Sequence, residues 1–283
     1  MTANELDEAR RELDLWSEWG LKAKFWVRDD DACEVSEPLT RLLALACKYD
    51  IRIGVAVIPG KMNQSLSDYL NGETRNFHPM CHGWKHINHG SLDKPAEFGL
   101  DRPLVQLVQD VEAARKVFVR HFCTSQSIFV PPFNRISKSL IRFLPEIGFA
   151  AVSAFPSPLE RKLLGIRARV GWVPSIRLSR LSVIPRIDVH IDLIDWRSRT
   201  AKENRLVARE FAHQLRARRM AGPAARSPIG LLTHHLVHDA RIWRLFEELL
   251  DMLRRHDAVE FTDVEDWLKQ HTATARSGRM EAS

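Results

Sequence analysis

The chain has 283 residues, 45% of them hydrophobic, which is enough for one large core and excludes a disordered polymer or a disulfide-stapled miniprotein. Its formal charge of +6 comes from 42 Lys and Arg against 36 Asp and Glu. That excess is dispersed, with no aromatic interleaving around Arg161 to Arg169 or Arg216 to Arg219, so a nucleic-acid footprint is not expected. Cys33, Cys47, Cys81 and Cys123 form no CxxC pair, the first 18 residues lack an apolar signal core, and no apolar run approaches a membrane span. These features predict a cytoplasmic protein with reduced thiols and no membrane span.

In chain order, Glu5 to Trp19 reads as a helix with Leu6, Ala9, Leu13 and Trp16 on one side. Lys24 to Arg28 is a predicted strand running into Asp29-Asp30-Asp31. Pro38 to Tyr49 has helical periodicity, and Ile53 to Ile58 is a β-branched strand closed by Pro59-Gly60. Ser65 to Leu70 predicts a short helix, Phe77 to Cys81 a strand, and Leu104 to Phe122 a long helix. Ser127 to Val130 is a strand stopped by Pro131-Pro132; Ser137 to Ile147 reads as helix and Phe149 to Ala154 as strand.

Residues 155–182 carry no readable period. Val183 to Ile194 alternates like one or two strands, and Ala201 to Met220 is a helix ended by Gly222-Pro223. Ile229 to Thr233 is a buried-type strand, Ala240 to Arg255 a strongly amphipathic helix, Ala258 to Phe261 a strand and Asp263 to Lys269 a helix. Strand and helix alternate throughout, which predicts a parallel α/β sheet, open or closed into a barrel. One domain over residues 1–271 is expected, with residues 1–20 forming a helix packed on it and residues 272–283 a disordered polar tail.

The unusual polar residues fall after strands, where parallel α/β folds place their chemistry. They are Asp29 to Asp31, His82 and His86, Pro131 to Arg135, Asp192 to Trp196, and His234-His235. His82 and His86, four apart in a stretch of four histidines, are the start of a transition-metal site. Gly83 and Gly90 favour a shaped loop there over a regular helix. Three adjacent carboxylates repel one another and point to a metal or to groups with separated tasks. His190 reads as a satisfied core histidine, and His238 and Asp239 as the cap of the next helix.

These residues, in this order, resemble the polysaccharide deacetylases, the NodB-homology group or carbohydrate esterase family 4. Arg28-Asp29-Asp30-Asp31-Ala32 resembles the family's Thr-Phe-Asp-Asp-Gly, and His82-Gly-Trp-Lys-His86 its His-Ser/Thr-x-x-His. Val130-Pro-Pro-Phe-Asn134 is similar to its Arg-Pro-Pro-Tyr/Phe-Gly, Asp195-Trp196 to its Asp-Trp, and Leu232-Thr-His234 to its Leu-x-His. The resemblance runs from about Phe25 to His235. It implies a distorted (β/α) barrel of about seven parallel strands.

It also implies a divalent metal held by Asp31, His82 and His86, most often zinc, with cobalt, nickel or manganese as alternatives. Such a metal acidifies a water and polarises a carbonyl. Asp30 is then the general base and His234 the general acid, with the Phe133 N–H in the oxyanion hole. Asp195 is expected to hydrogen-bond His234. Leu232 and Trp196 are expected to wall an acyl pocket, with Trp84 and Asn134 also facing substrate.

The sequence departs from the family where Val130 stands in place of the motif arginine, leaving Arg28 or Arg135 to pair with Asp30. The triplet leaves a second register open, with Asp29 as base and Asp30 as ligand, and His235 stands ready to exchange roles with His234. The implied activity is removal of an N-acetyl or related acyl group from an amino sugar that is polymeric, oligomeric, or linked to a lipid or nucleotide. The alternative is a catalytically silent carbohydrate-binding relative.

Overall fold

A computed structural model of the chain describes residues 6–122, 127–170, 184–221 and 227–271. Its centre is a sheet of parallel strands: β1 (Ala23–Ala32), β2 (Ile53–Val57), β3 (Phe77–His82), β4 (Ser127–Val130), β5 (Phe149–Val152), β6 (Ile191–Asp192) and β9 (Ile229–Thr233). Their order is β5-β4-β3-β2-β1-β9-β6. Residues 185–190 extend β6 backwards and link the two edges. The Val152 N–H donates to Pro185 O, and the Ile187 and Val189 N–H groups donate to Val152 O and Ala154 O. On the other side the His190 N–H donates to Gly230 O. The sheet therefore curls into the distorted seven-stranded (β/α) barrel expected from the motifs.

Helices follow the strands: α1 (Asp7–Glu18) precedes β1, then α2 (Glu37–Tyr49), α3 (Gln64–Gly72), α4 (Leu104–His121), α5 (Lys138–Ile141), α6 (Leu144–Ile147), α7 (Pro158–Val170), α8 (Asn204–Met220) and α9 (Ala240–Arg255). The predicted helix from Ser137 to Ile147 is in fact two short pieces, because Pro145 at the start of α6 denies the backbone a continuous run of donors. A small antiparallel hairpin, β7 (Ile194–Asp195) with β8 (Thr200–Ala201), was not foreseen. The strand β10 (Val259–Phe261) pairs with the first residues of β1. Cys123, the Gly222-Pro223 pair and the tail from residue 272 lie outside the described residues.

Strand alternation divides the core in two. Trp26, Ala56, Met80, Ile128, Val130, Val189 and Leu232 point into the barrel, whose lower end is stoppered by Val264, Trp267 and Leu268 of the helix at residues 264–271. The larger cluster, including Phe25, Val27, Val55, Phe129 and Leu231, lies between sheet and helices. The helix α1 docks on α8 through the buried Arg219–Glu12 ion pair (2.7 Å) and the Trp16 indole N–H to Leu215 O (3.3 Å). Among the described residues no helix is long and apolar enough to cross a membrane.

Candidate metal centre

Each carboxylate of the acidic triplet faces a different way. The strand β1 runs through the triplet to Ala32, further than its β-branched residues suggest. Alternation sends Arg28 and Asp30 into the barrel behind Trp26, and sends Asp29 outward behind Phe25 and Val27. The register with β2 then shifts between Asp29 and Ala32, and Asp31 takes a left-handed φ of 75°. That irregularity breaks the alternation and turns the third carboxylate towards the end of β3.

Asp29 is wholly buried and spends its oxygens on the end of β9. Oδ1 accepts from Thr233 Oγ1 (2.7 Å) and the His235 N–H (2.9 Å), and Oδ2 pairs with His235 Nδ1. Burial pushes the Asp29 carboxyl up, but the His235 charge and these hydrogen bonds carry it below its ordinary value. With Asp29 and the His235 ring committed to each other, the alternative register and the His235-for-His234 exchange both lack geometric support.

Asp31 Oδ1 stands 3.1 Å from His82 Nε2 and 3.2 Å from His86 Nε2. The His82 Nδ1–H donates to Val130 O (3.1 Å), which orients the ring so that Nε2 faces Asp31. One donor atom from each of Asp31, His82 and His86 lies within 4.8 Å of the others. Two ligands of a tetrahedral zinc at about 2.0–2.2 Å are separated by about 3.4 Å, so the spacing and the N,N,O donor set suit a divalent cation. The cluster can hold a metal. Burial opposes the Asp31 charge, yet the His82 hydrogen bond and the nearby imidazoles hold its carboxyl well below the ordinary range.

The loop between the two histidines is not helical: Gly83 and His86 have φ of 58° and 55°. A Cβ on Gly83 would stand 2.3 Å from Glu97 Oε2 and 2.5 Å from Pro132, so a serine or threonine does not fit where the family motif has one. The Glu97 carboxylate fills that space, accepting the N–H groups of Trp84 (3.1 Å), Lys85 (2.8 Å) and Ile87 (3.5 Å).

Arg28 grips Asp30 with two hydrogen bonds, Nε to Oδ1 at 2.8 Å and Nη2 to Oδ2 at 2.9 Å. Its other donors go to Ser153 Oγ (2.8 Å) and Asn134 Oδ1 (2.6 Å). Arg135 instead reaches Pro95 O from an exposed position. His234 Nε2 stands 4.0 Å from Asp30 Oδ2, and the His234 ring lies edge-on to Trp196.

The expected Asp195–His234 hydrogen bond is absent among the described residues. Asp195 sits in the exposed β7–β8 turn with Oδ1 accepting the Arg197 N–H, and His234 Nδ1 is buried without a partner. Asp192 accepts the indole N–H of Trp196 (2.7 Å), the ring that lies against His234. Phe133 has a φ of 59° in the turn after β4, its ring 4.5 Å from that of His86. Leu232 is fully buried inside the barrel, Trp196 is 46% exposed at its rim, and Trp84 is half-buried against the outer core. Sequence reasoning gave Ser153 and Thr233 no role and named Asp192 only as the start of the cluster that runs to Trp196. None carries a local pattern.

No family model and no curated protein matches the chain. Among solved structures it resembles a family 4 carbohydrate esterase from Streptomyces lividans in complex with acetate, at 11% identity and a TM-score of 0.52, over 86% of this chain and 94% of that one. A family 4 acetyl xylan esterase from Clostridium thermocellum in complex with a cobalt ion gives 12% and 0.50, over 87% and 91%. A CE4 family pseudoenzyme from Bacillus anthracis gives 12% and 0.52, over 87% of this chain and 66% of the other. At such identities the likeness is one of architecture: this chain has the fold of the family 4 carbohydrate esterases.

Proposed function

We propose that the protein is a metal-dependent hydrolase that removes an N-acetyl or related acyl group from an amino-sugar-containing saccharide or glycoconjugate. The observation that carries this reading is the convergence of a three-donor cluster (Asp31, His82, His86) with a buried, arginine-held carboxylate and a histidine 4.0 Å from it. Zinc is the metal we favour, and when bound it would supply a Lewis acid for the acyl carbonyl and lower the pKa of a water.

Asp30 is the proposed base. Each of its oxygens accepts one hydrogen bond from Arg28, which fixes the carboxylate plane and leaves a second lone pair on each oxygen to take a proton. His234 is the proposed acid, protonating the departing amine, and Trp196 and Asp192 stand behind it. The Phe133 N–H is the proposed donor to the developing oxyanion, held by the turn after Pro131-Pro132. Trp196 at the rim and Asn134 beside Arg28 are the proposed substrate contacts, with Leu232 beneath them.

The silent-relative reading has one observation to answer. The motif arginine is missing at Val130, but Arg28 supplies a guanidinium to the same aspartate from two residues away on β1, so the base retains its partner. The test is hydrolysis of acetylated amino-sugar oligosaccharides by zinc-loaded protein, with metal content measured in parallel. Stoichiometric metal with no release of acetate or formate from any acylated amino sugar would favour the silent relative.

A further inference from the structure

We propose that Glu97 is a positioning residue of the metal centre: its carboxylate holds the 83–87 loop in the backbone conformation that brings His86 to Asp31. This inference rests on the metal-hydrolase reading above.

Glu97 is 1% exposed, and no Lys or Arg among the described residues forms an ion pair with it. A buried carboxylate without a cationic partner is costly unless hydrogen bonds replace its water. Those bonds are the amides of Trp84, Lys85 and Ile87, which flank His86 on both sides in sequence. The backbone enters the left-handed region just before them, at Gly83, and again between Lys85 and Ile87, at His86. A histidine held there persists only when its surroundings over-determine it.

The support is itself anchored. Asn88 Oδ1 accepts the Gly90 and Ala96 N–H groups, the His89 N–H donates to Ala96 O, and the Ser137 N–H donates to Phe98 O. Phe98 beside Glu97 is fully buried. Both Glu97 Oε2 and Pro132 border the space above Gly83. One carboxylate thus braces the ligand loop where it meets the turn carrying Phe133.

The experiment is a zinc competition titration against a chromophoric chelator, using the full chain, with thermal unfolding of the metal-free protein alongside. Glu97→Gln keeps size but presents an N–H₂ to amide donors, and its zinc Kd is expected to rise 10–100-fold, the usual loss when a group supporting a ligand is removed. Leu13→Ala, on the distant α1, is expected to lower Tm with zinc Kd unchanged. If Glu97→Gln does not fold, Glu97→Asp keeps the charge, shortens the reach and is expected to weaken zinc as well. Zinc binding as tight as wild type in the Glu97 variants, or equally weakened by Leu13→Ala, overturns the inference alone. A wild-type chain that takes up no zinc overturns the hydrolase reading and this inference with it.

Discussion

Arg28 and Asp30, two residues apart on one strand, form a fully buried bidentate pair inside the mouth of the barrel. Residues i and i+2 of a strand share a face, so the pair follows from the pleat alone once β1 extends through the acidic triplet. The guanidinium missing at Val130 is therefore supplied to Asp30 from Asp30's own strand. Arg28→Ala strands a buried carboxylate, and removing one partner of such a pair costs about 3–5 kcal/mol. Chemical denaturation should show that loss, with Arg28→Lys recovering only part of it because an ammonium cannot make the fork.

Asp30→Asn tests the base separately from the metal. The asparagine keeps the shape and one acceptor but cannot take a proton. Turnover is expected to fall by about 10²–10⁴-fold with zinc stoichiometry unchanged. Unchanged turnover removes Asp30 from the mechanism.

Asp29 ties both neighbours of His234 to β1, through Thr233 on one side and His235 on the other. In Asp29→Asn the bond to the His235 ring is remade at best in the opposite sense. The expected result is a fall in kcat larger than any change in KM, with zinc retained, measured by steady-state kinetics and metal analysis. Asp195→Ala, by contrast, alters an exposed turn and is expected to leave kcat within about threefold, well inside the effect of losing a general acid.

Acid sensitivity should arise partly in the barrel interior, outside the Asp31, His82 and His86 cluster. Burial, with Arg52 nearby, pushes the His78 imidazole down to about 4, and its Nε2 has no hydrogen-bond partner. The folded value lies below the unfolded value of about 6.5, so the unfolded chain binds more protons between them. Stability is thus intact above about pH 6.5 and falls as pH drops towards 4, by on the order of 3 kcal/mol from this residue. Denaturation midpoints between pH 7 and 4 should show a shallower decline in His78→Leu than in wild type. Parallel slopes would remove His78 as the source.

Much of the architecture was legible because β-branched runs and amphipathic periods map directly onto burial. Ile53 to Val57 and Ala240 to Arg255 are clear cases. The α7 helix was not legible, since its Pro158 and arginines mask a weak period. Within the site, the histidine spacing and the triplet were visible, but the direction of each aspartate was not. It depends on a register shift against β2, a property of two strands together. Asp195 was misplaced for a related reason: the dipeptide Asp195-Trp196 reads as one unit, yet the hairpin turns the aspartate outward while the indole reaches Asp192. Glu97 escaped because its partners are backbone amides ten to thirteen residues away.

The most direct test is a crystal of zinc-soaked protein, with anomalous difference maps on either side of the zinc edge. One strong peak is expected about 2.0–2.2 Å from Asp31, His82 Nε2 and His86 Nε2, and none in His82→Ala. A peak on other residues, or no peak in wild type at saturating zinc, would contradict the proposed metal centre.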